Sequence, residues 1–173
     1  MAVKEATRTV TMKGNPLTLS GEGIKPGDKA PDFTALDNGL APVTLSSFAG
    51  KVVVISSVPS LDTPVCDLQT RRFNQEAGKL VGDVVVLTLS MDLPFAQKRW
   101  CGAAGVDKVK TLSDHRDASF GLSYGMLIKE LRLLARGVFL VDREGVVRYA
   151  QLVDEIATEP DYDAVLAELK KLA

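Results

Sequence analysis

Hydrophobic residues form two kinds of pattern along this chain, continuous runs and repeats at helical spacing. Residues 52–55 and 84–89 are continuous hydrophobic runs rich in β-branched side chains, which predicts two strands buried on both faces. Near the end of the chain, hydrophobic residues recur at helical spacing and predict a helix over 161–172. The remaining pattern predicts strands over 7–12, 17–20, 33–36, 43–45, 109–112, 137–141 and 146–152, and helices over 65–78, 94–101 and 117–124.

These elements predict a single α/β domain that covers residues 1–173. Strands that alternate with helices favour a sheet with helices packed against it. Two pairs of strands are expected to form hairpins, one turning at residues 13–16 and the other at 142–145, so the sheet should be mixed. In open sheets of this kind, sites form where the carboxyl ends of strands lead into helices. The loop 58–64 lies at such a position.

Composition and charge exclude several classes of function. Hydrophobic residues make up 46% of the chain and charged residues 25%, and the formal net charge is −1, so nothing favours a nucleic acid or anionic membrane partner. No stretch approaches the roughly 18 apolar residues of a membrane span. Residues 1–8 lack the apolar core of a signal peptide, so we expect a cytoplasmic protein. In that compartment the two cysteines are expected to be free thiols or a pair that cycles.

Cys66 is the residue whose position most clearly indicates chemistry. It follows a predicted buried strand and lies at a helix start, with Pro64 suited to the first helical position and Thr63 to the N-cap. The Thr63 hydroxyl is predicted to bond the Cys66 backbone N–H. Free N–H groups and the helix dipole favour a thiolate there, although a helical stripe shared with Phe73 and Ala77 would bury the sulfur and oppose ionisation. Cys66 is therefore a candidate nucleophile, and the alternative is a small core residue.

Other chemical groups in the chain give weaker signals. His115 is the only histidine, and its polar surroundings favour an ordinary surface side chain over the base of a Cys-His hydrolase. Two cysteines and one histidine match no zinc spacing, and no dinucleotide or phosphate-loop glycine pattern is present. Residues 69–72 are interpreted as the solvated face of the helix that carries Cys66. Residues 126–128 are expected to line an apolar pocket or subunit contact, or to pack in the core.

Three separated segments together resemble a known family. The run Ser-Val-Pro-Ser-Leu-Asp-Thr-Pro-Val-Cys at 57–66 is similar to the active-site segment of the peroxiredoxins, Pro-x-x-x-Thr-x-x-Cys. Residues 93–101 and 151–162, with the N-terminal hairpin, narrow the resemblance to the bacterial thiol peroxidase branch, whose members are atypical 2-Cys peroxiredoxins. Trp100 is a departure, because the branch usually carries Phe there. The resemblance implies a thioredoxin-like fold: a mixed β-sheet flanked by helices, with an extra N-terminal β-hairpin.

The same resemblance implies a role for individual residues. Cys66 would be the peroxidatic cysteine, whose thiolate attacks a hydroperoxide and becomes a sulfenic acid. Thr63 would offer its hydroxyl to the thiolate and the peroxide, and Pro59 would shield the sulfur from water. Arg136 would place a guanidinium beside the sulfur. Without the resemblance, Arg136 is interpreted as a surface charge.

Cys101 would complete the reaction as the resolving cysteine. A sulfenic acid condenses with a thiol to give a disulfide, and Cys101 is the only other cysteine in the chain. A disulfide needs Cα atoms within about 7 Å, and residues on separate helices often start farther apart, so we predict that the first helical turn at Cys66 and the helix of Cys101 unwind locally during turnover. The alternative for Cys101 is an unrelated buried thiol. The resemblance further implies hydrogen peroxide and organic hydroperoxides as substrates, thioredoxin as reductant, no cofactor and a homodimer.

Two other functions remain open at this stage. A thiol–disulfide oxidoreductase would share the fold, but it would normally show Cys-x-x-Cys, and Cys66 is followed by no second thiol at that spacing. A redox sensor that passes its oxidation to a partner protein would use the same reactive cysteine. Rapid reduction of peroxide would distinguish the enzyme from the sensor.

Overall fold

A computed structural model describes residues 8–77, 79 and 83–172, which form two β-sheets and four α-helices. The strands are β1 (Arg8–Met12), β2 (Asn15–Ser20), β3 (Thr34–Leu36), β4 (Pro42–Thr44), β5 (Val52–Ser57), β6 (Val84–Ser90), β7 (Lys110–Ser113), β8 (Leu127–Ile128), β9 (Leu133–Leu134), β10 (Gly137–Val141) and β11 (Val147–Leu152). The helices are α1 (Pro64–Ala77), α2 (Pro94–Ala104), α3 (Ser119–Ser123) and α4 (Tyr162–Leu172), and a short 3-10 helix covers Leu45–Phe48.

The main sheet has seven strands in the order β11-β10-β5-β6-β7-β3-β4. The three central strands, β5, β6 and β7, are parallel, and the pairs on both sides of them are antiparallel. This arrangement confirms the predicted mixed sheet and the late hairpin. It also places the carboxyl ends of β5 and β6 at one edge, where each leads into a helix.

Alternate residues of the central strands belong to two separate hydrophobic cores. Val53 and Ile55 pack on one side of the sheet in a core that includes the rings of Phe33, Phe120 and Tyr124. On the other side, even-numbered strand residues pack against α1 and α4. All six residues of β5 are buried, which confirms the prediction of a strand covered on both faces. Helix α1, which follows β5 in the chain, therefore packs on this face of the sheet.

The N-terminal hairpin belongs to a second sheet that was not predicted. Strands β1 and β2 turn tightly at Lys13 and Gly14, both of which have positive φ, and the sheet continues in the order β1-β2-β8-β9. Strands β8 and β9 contain only two residues each, which is too short for a period-2 pattern to be recognised. Of the interpretations of residues 126–128, core packing is correct, because these side chains are at most 4% exposed.

Several predicted element ends differ from the structure. Leu45 lies in the 3-10 helix and not in a strand, and Pro16 lies in β2 and not in the turn. The helix predicted over 117–124 is only α3, because Ala118 adopts a left-handed conformation just before it. Helix α2 is longer than predicted and ends where Gly105 takes a left-handed conformation. Residues 7 and 78, which were included in predicted elements, lie outside the described residues.

Candidate active site

Cys66 lies in the first turn of α1, and the loop that connects β5 to this helix is fixed by a carboxylate. Asp92, which follows β6, accepts hydrogen bonds from the Ser60 hydroxyl at 2.7 Å and from the Leu61 backbone N–H at 2.8 Å. The Val58 N–H donates to the carbonyl oxygen of Leu89. Cys66 is fully buried beside Val58 and Leu61. The sulfur is thus held at the carboxyl end of the central strand, where the sequence predicted a site.

Arg136 lies beside Cys66 although 70 residues separate them. Its Nη2 is 3.1 Å from Cys66 Sγ, Nη1 donates to Gln69 Oε1 at 2.8 Å, and Nε donates to the carbonyl oxygen of Ile156 at 2.8 Å. Arg136 is only 2% exposed, so its interpretation as a surface charge is wrong. A guanidinium keeps its charge at any ordinary pH, and a buried charge is costly without a counter-charge. The ion pairs of the described residues do not include Arg136, so a thiolate at Cys66, 3.1 Å away, would provide a counter-charge.

The register of the sheet explains how Arg136 reaches this position. Gly137 of β10 pairs with Ser57 of β5, so Arg136 comes just before the strand at the end where the Cys66 loop begins. A side chain at Gly137 would place its Cβ 2.7 Å from the carbonyl oxygen of Gln151 and from the Met126 methyl group. Glycine is therefore required for this close approach of β10 and β11 beside the site.

Gln69 is a functional candidate that the sequence interpretation missed. Residues 69–72 were expected on a solvated face, but Gln69 and Thr70 are fully buried. Gln69 accepts from Arg136 Nη1 and donates through Nε2 to the Ser56 hydroxyl at 2.7 Å, so it links the guanidinium to the central strand. The signal was available, because positions i+3 and i+4 from Cys66 share its helix face.

Thr63 and Pro59 occupy the loop before α1, and the hydrogen bonds of the described residues include none from either to the sulfur. The Thr63 carbonyl oxygen accepts from the Asp67 N–H, as expected for an N-cap, but its hydroxyl donates to the Ser60 carbonyl oxygen at 2.9 Å. The hydrogen bonds of the described residues do not include the predicted one from the Cys66 N–H to the Thr63 hydroxyl, so that prediction is not confirmed. Pro59 is buried between Val58 and Ser60.

Cys101 lies on α2 and has different neighbours from Cys66. Its Sγ is 3.4 Å from the Thr111 hydroxyl, which in turn donates to Asn38 Oδ1 at 3.0 Å. Both cysteines are free, Cys66 buried and Cys101 half-buried, and the helices that carry them are intact. The local unwinding that a disulfide would require stays a prediction.

Other kinds of site find little support in the described part of the chain. Residues 8–77, 79 and 83–172 contain no group of three or more His, Cys, Asp or Glu side chains that could hold a metal ion. Among the same residues, no helix has both the length and the apolar character needed to cross a membrane. His115 is half-buried after β7, and its backbone N–H donates to the Ser113 hydroxyl. The polar partner recorded for the Cys66 sulfur is Arg136.

Comparison with known proteins places this chain in a family. The sequence profile of the Redoxin family matches residues 25–166. The chain is 58% identical over 163 residues to a thiol peroxidase of Bacillus subtilis, covering 94% of this chain and 97% of that protein. It is also 58% identical to a thiol peroxidase of Staphylococcus aureus, with 94% and 98% covered.

Solved structures agree with these sequence relatives. A peroxiredoxin-like protein from Aquifex aeolicus superimposes with a TM-score of 0.90 at 44% identity, over 96% of this chain and 98% of that one. A thiol peroxidase from Chromobacterium violaceum gives a TM-score of 0.84 at 22% identity, over 94% and 95% of the two chains, and at that identity supports the fold alone. The predicted thioredoxin-like fold is confirmed.

Proposed function

The chain belongs to the thiol peroxidases of the Redoxin family, and from that premise we propose that Cys66 reduces hydroperoxides with the help of Arg136. The enzyme would act on hydrogen peroxide and organic hydroperoxides and release water or an alcohol. The distance of 3.1 Å between Arg136 Nη2 and Cys66 Sγ is the observation that carries this proposal. It supports a thiolate at Cys66, because the buried cation lowers the energy of the anion next to it.

The first half-reaction is a displacement at oxygen. The Cys66 thiolate attacks the terminal oxygen of the peroxide, an S–O bond forms, the O–O bond breaks, and the leaving alkoxide or hydroxide takes up a proton. The sulfur donates two electrons and becomes a sulfenic acid. The Arg136 guanidinium, held by Gln69 and the Ile156 carbonyl oxygen, is placed to donate to the charge that develops on the breaking bond.

Thr63 and Pro59 would complete the peroxide site. The Thr63 hydroxyl has an accepting lone pair and, by releasing the Ser60 carbonyl oxygen, a hydrogen that it could donate to bound peroxide. Pro59 carries no N–H and is buried, so it would exclude water near the sulfur without adding a competing donor. Exclusion of water would strengthen the interaction between the guanidinium and the reacting atoms.

In the second half-reaction, the Cys101 thiol would attack the Cys66 sulfenic acid. A disulfide forms, water leaves, and no electrons are exchanged with any other group. Thioredoxin would then donate two electrons and two protons and regenerate both thiols. This cycle needs no metal, haem or flavin. We further propose that residues 1–173 act as one domain and that the enzyme is a cytoplasmic homodimer.

Stopped-flow mixing of the reduced protein with hydrogen peroxide tests the proposal. Trp100 is the only tryptophan and packs beside the Cys66 cluster, so its fluorescence should report oxidation. We expect a rapid change that Cys66→Ser abolishes. Cys101→Ser should reduce one equivalent of peroxide and then stop, whereas the unmodified chain should turn over repeatedly with thioredoxin, thioredoxin reductase and NADPH.

Two results would reject parts of this function. Oxidation as slow as that of a free cysteine would contradict the peroxidase mechanism at Cys66. Undiminished turnover by Cys101→Ser would contradict the resolving role of Cys101 and leave the role of Cys66 intact.

A further inference from the structure

The guanidinium of Arg136 is held in part by a peptide group from a later segment of the chain. Arg136 Nε donates to the carbonyl oxygen of Ile156 at 2.8 Å, and Ile156 is buried in the segment that follows β11. Because Nε and the two terminal nitrogens lie in one rigid plane, fixing Nε on this oxygen also sets the direction of Nη2 toward Cys66.

The other side of that same peptide group is bound by Glu155. The Ile156 carbonyl and the Ala157 N–H belong to one planar peptide unit and point in opposite directions. Glu155 Oε2 accepts from the Ala157 N–H at 2.8 Å. The carboxylate therefore orients the peptide whose oxygen holds Arg136, and its charge polarises that oxygen toward the guanidinium.

Glu155 in turn is attached to the N-terminal hairpin. Its Oε1 accepts from the Gly14 N–H at 2.9 Å and from the Thr11 hydroxyl at 3.2 Å. Two backbone bonds run in parallel with these, from the Thr11 N–H to the Asp154 carbonyl oxygen and from the Ile156 N–H to the Thr11 carbonyl oxygen. The hairpin thus reaches the site through Glu155 and the peptide that follows Ile156.

We propose that Glu155 is a positioning residue for peroxide reduction, which couples the N-terminal hairpin to the Arg136 guanidinium through the Ile156–Ala157 peptide. This inference rests on the proposed function, because it assigns Glu155 an effect on Cys66 only through Arg136. The N-terminal hairpin then contributes to catalysis as well as to the fold. Through Glu155 it holds the Ile156–Ala157 peptide, which binds the Arg136 guanidinium beside the sulfur.

Glu130 provides a matched control that binds the same hairpin from outside it. It is also a glutamate that binds backbone, since both of its carboxylate oxygens accept from the Thr18 N–H at 3.0 and 2.9 Å. It lies in the turn between β8 and β9, and its carboxylate binds Thr18, whereas the Ile156–Ala157 peptide is bound by Glu155. Glu155→Ala and Glu130→Ala therefore remove similar support from the hairpin, but only the first disturbs the support of Arg136.

The experiment measures the peroxide rate constant of Cys66 by stopped flow, and the pH midpoint of Cys66 alkylation by iodoacetamide in a Cys101→Ser background. We expect Glu155→Ala to lower the rate constant roughly tenfold to a hundredfold and to move the midpoint to higher pH, because a misplaced guanidinium stabilises the thiolate less. Glu155→Gln, which keeps one oxygen acceptor, should lie between, and it replaces Glu155→Ala should the latter not fold. Glu130→Ala should match the parent chain in both measurements, even with a similar fall in melting temperature.

A double-mutant cycle separates the inference from the function on which it rests. In an Arg136→Ala background, Glu155→Ala should cause no further loss of rate, because its effect passes through the missing guanidinium. An equal effect of Glu155→Ala with and without Arg136, or a match between Glu155→Ala and Glu130→Ala, would overturn the inference alone. An Arg136→Ala variant with unchanged Cys66 reactivity would overturn the proposed role of Arg136 and this inference with it.

Discussion

The indole N–H of Trp100 donates to Asp67 Oδ1 at 3.0 Å, and this bond joins the residue after Cys66 to the residue before Cys101. Arg71 strengthens the link, because its Nε contacts both Asp67 oxygens at 3.0 Å and its Nη1 donates to the Ala104 carbonyl oxygen at 3.3 Å. The guanidinium also lies 5.8 Å from the centre of the Trp100 ring. Helices α1 and α2 are thus tied together beside the two thiols.

This connection leads to a prediction for the rate of disulfide formation. Trp100→Phe keeps an aromatic ring beside Cys66 but removes the bond to the Asp67 carboxylate, and bonds to charged groups contribute about 1.5–3 kcal/mol where they are buried. On the prediction that both helical segments unwind before the thiols meet, we expect the sulfenic acid of Trp100→Phe to be converted to the disulfide severalfold faster. Acid-quenched samples analysed by mass spectrometry give that rate.

Leu68→Ala is the control for this measurement. Leu68 lies on α1 next to Asp67 and is 52% exposed, so its truncation should leave the rate of disulfide formation unchanged. A Trp100→Phe variant that forms the disulfide no faster than the parent chain would contradict the prediction.

A second prediction concerns Gln69. Gln69→Leu keeps a similar side-chain volume but removes the acceptor of Arg136 Nη1 and the donor to the Ser56 hydroxyl. A guanidinium with one support removed should be less well placed against Cys66, so we expect the peroxide rate constant to fall roughly tenfold or more. Stopped-flow fluorescence of the reduced protein measures this rate constant.

Thr70→Ser is a suitable comparison for Gln69→Leu on the same buried turn. It keeps the hydroxyl that donates to the Cys66 carbonyl oxygen at 2.9 Å, and it should react at the parent rate. Equal rate constants for Gln69→Leu and the parent chain would show that Arg136 does not depend on Gln69.

A third prediction follows from the buried carboxyl of Asp114. Burial raises the pKa of Asp114 from 3.8 to about 6, and repulsion from Asp117 contributes to this rise. The backbone N–H groups of Phe120 and Gly121 lower the pKa, because they donate hydrogen bonds to the carboxylate. Between these two pKa values the folded protein binds more protons than the unfolded chain, so the free energy of unfolding should fall as pH rises from about 4 to about 6. The contribution is on the order of 3 kcal/mol, because one pH unit of separation corresponds to about 1.4 kcal/mol.

Denaturant unfolding at pH 4 and at pH 6.5 tests this prediction. Asp114→Asn cannot ionise, so this part of the pH dependence should be absent from the variant. Asp107→Asn removes an exposed carboxylate and should keep the parent dependence. If Asp114→Asn and the parent chain lose the same stability between the two pH values, the carboxyl does not titrate in this window.

Elements with strong local patterns were predicted well from the sequence. The strand over 137–141 matches β10 at both ends, and the helix that carries Cys66 begins within one residue of the prediction. Both elements depend on neighbouring residues. Strand β10 is a run of β-branched, aliphatic and aromatic side chains, and the helix that carries Cys66 has a proline at its first position. Strands β8 and β9 were missed because two residues carry no period, and they form only through tertiary pairing, β8 with β2 and β9 with β8.

Among the residues near Cys66, some could likewise be predicted from local patterns and others could not. Gln69 could have been found from helical spacing alone, whereas Glu155 could not, since its partners Thr11 and Gly14 are more than 140 positions away in the chain. The predicted Thr63 bond was not confirmed for a related reason. A hydroxyl at a helix start has several acceptors and donors within reach, and the conformation of the loop selects among them.

The sequence by itself determined the chemistry that is available: a cysteine at the start of a helix, a second cysteine in a short helical segment, and hydrophobic patterns that specify strands and helices. The tertiary structure alone decided what surrounds the first cysteine. Pairing of β10 with β5 sets Arg136 against Cys66, and the hairpin bound to Glu155 supports the peptide that holds the guanidinium. These contacts join residues distant in the chain, so they depend on strand register and packing, which local patterns of side chains do not encode.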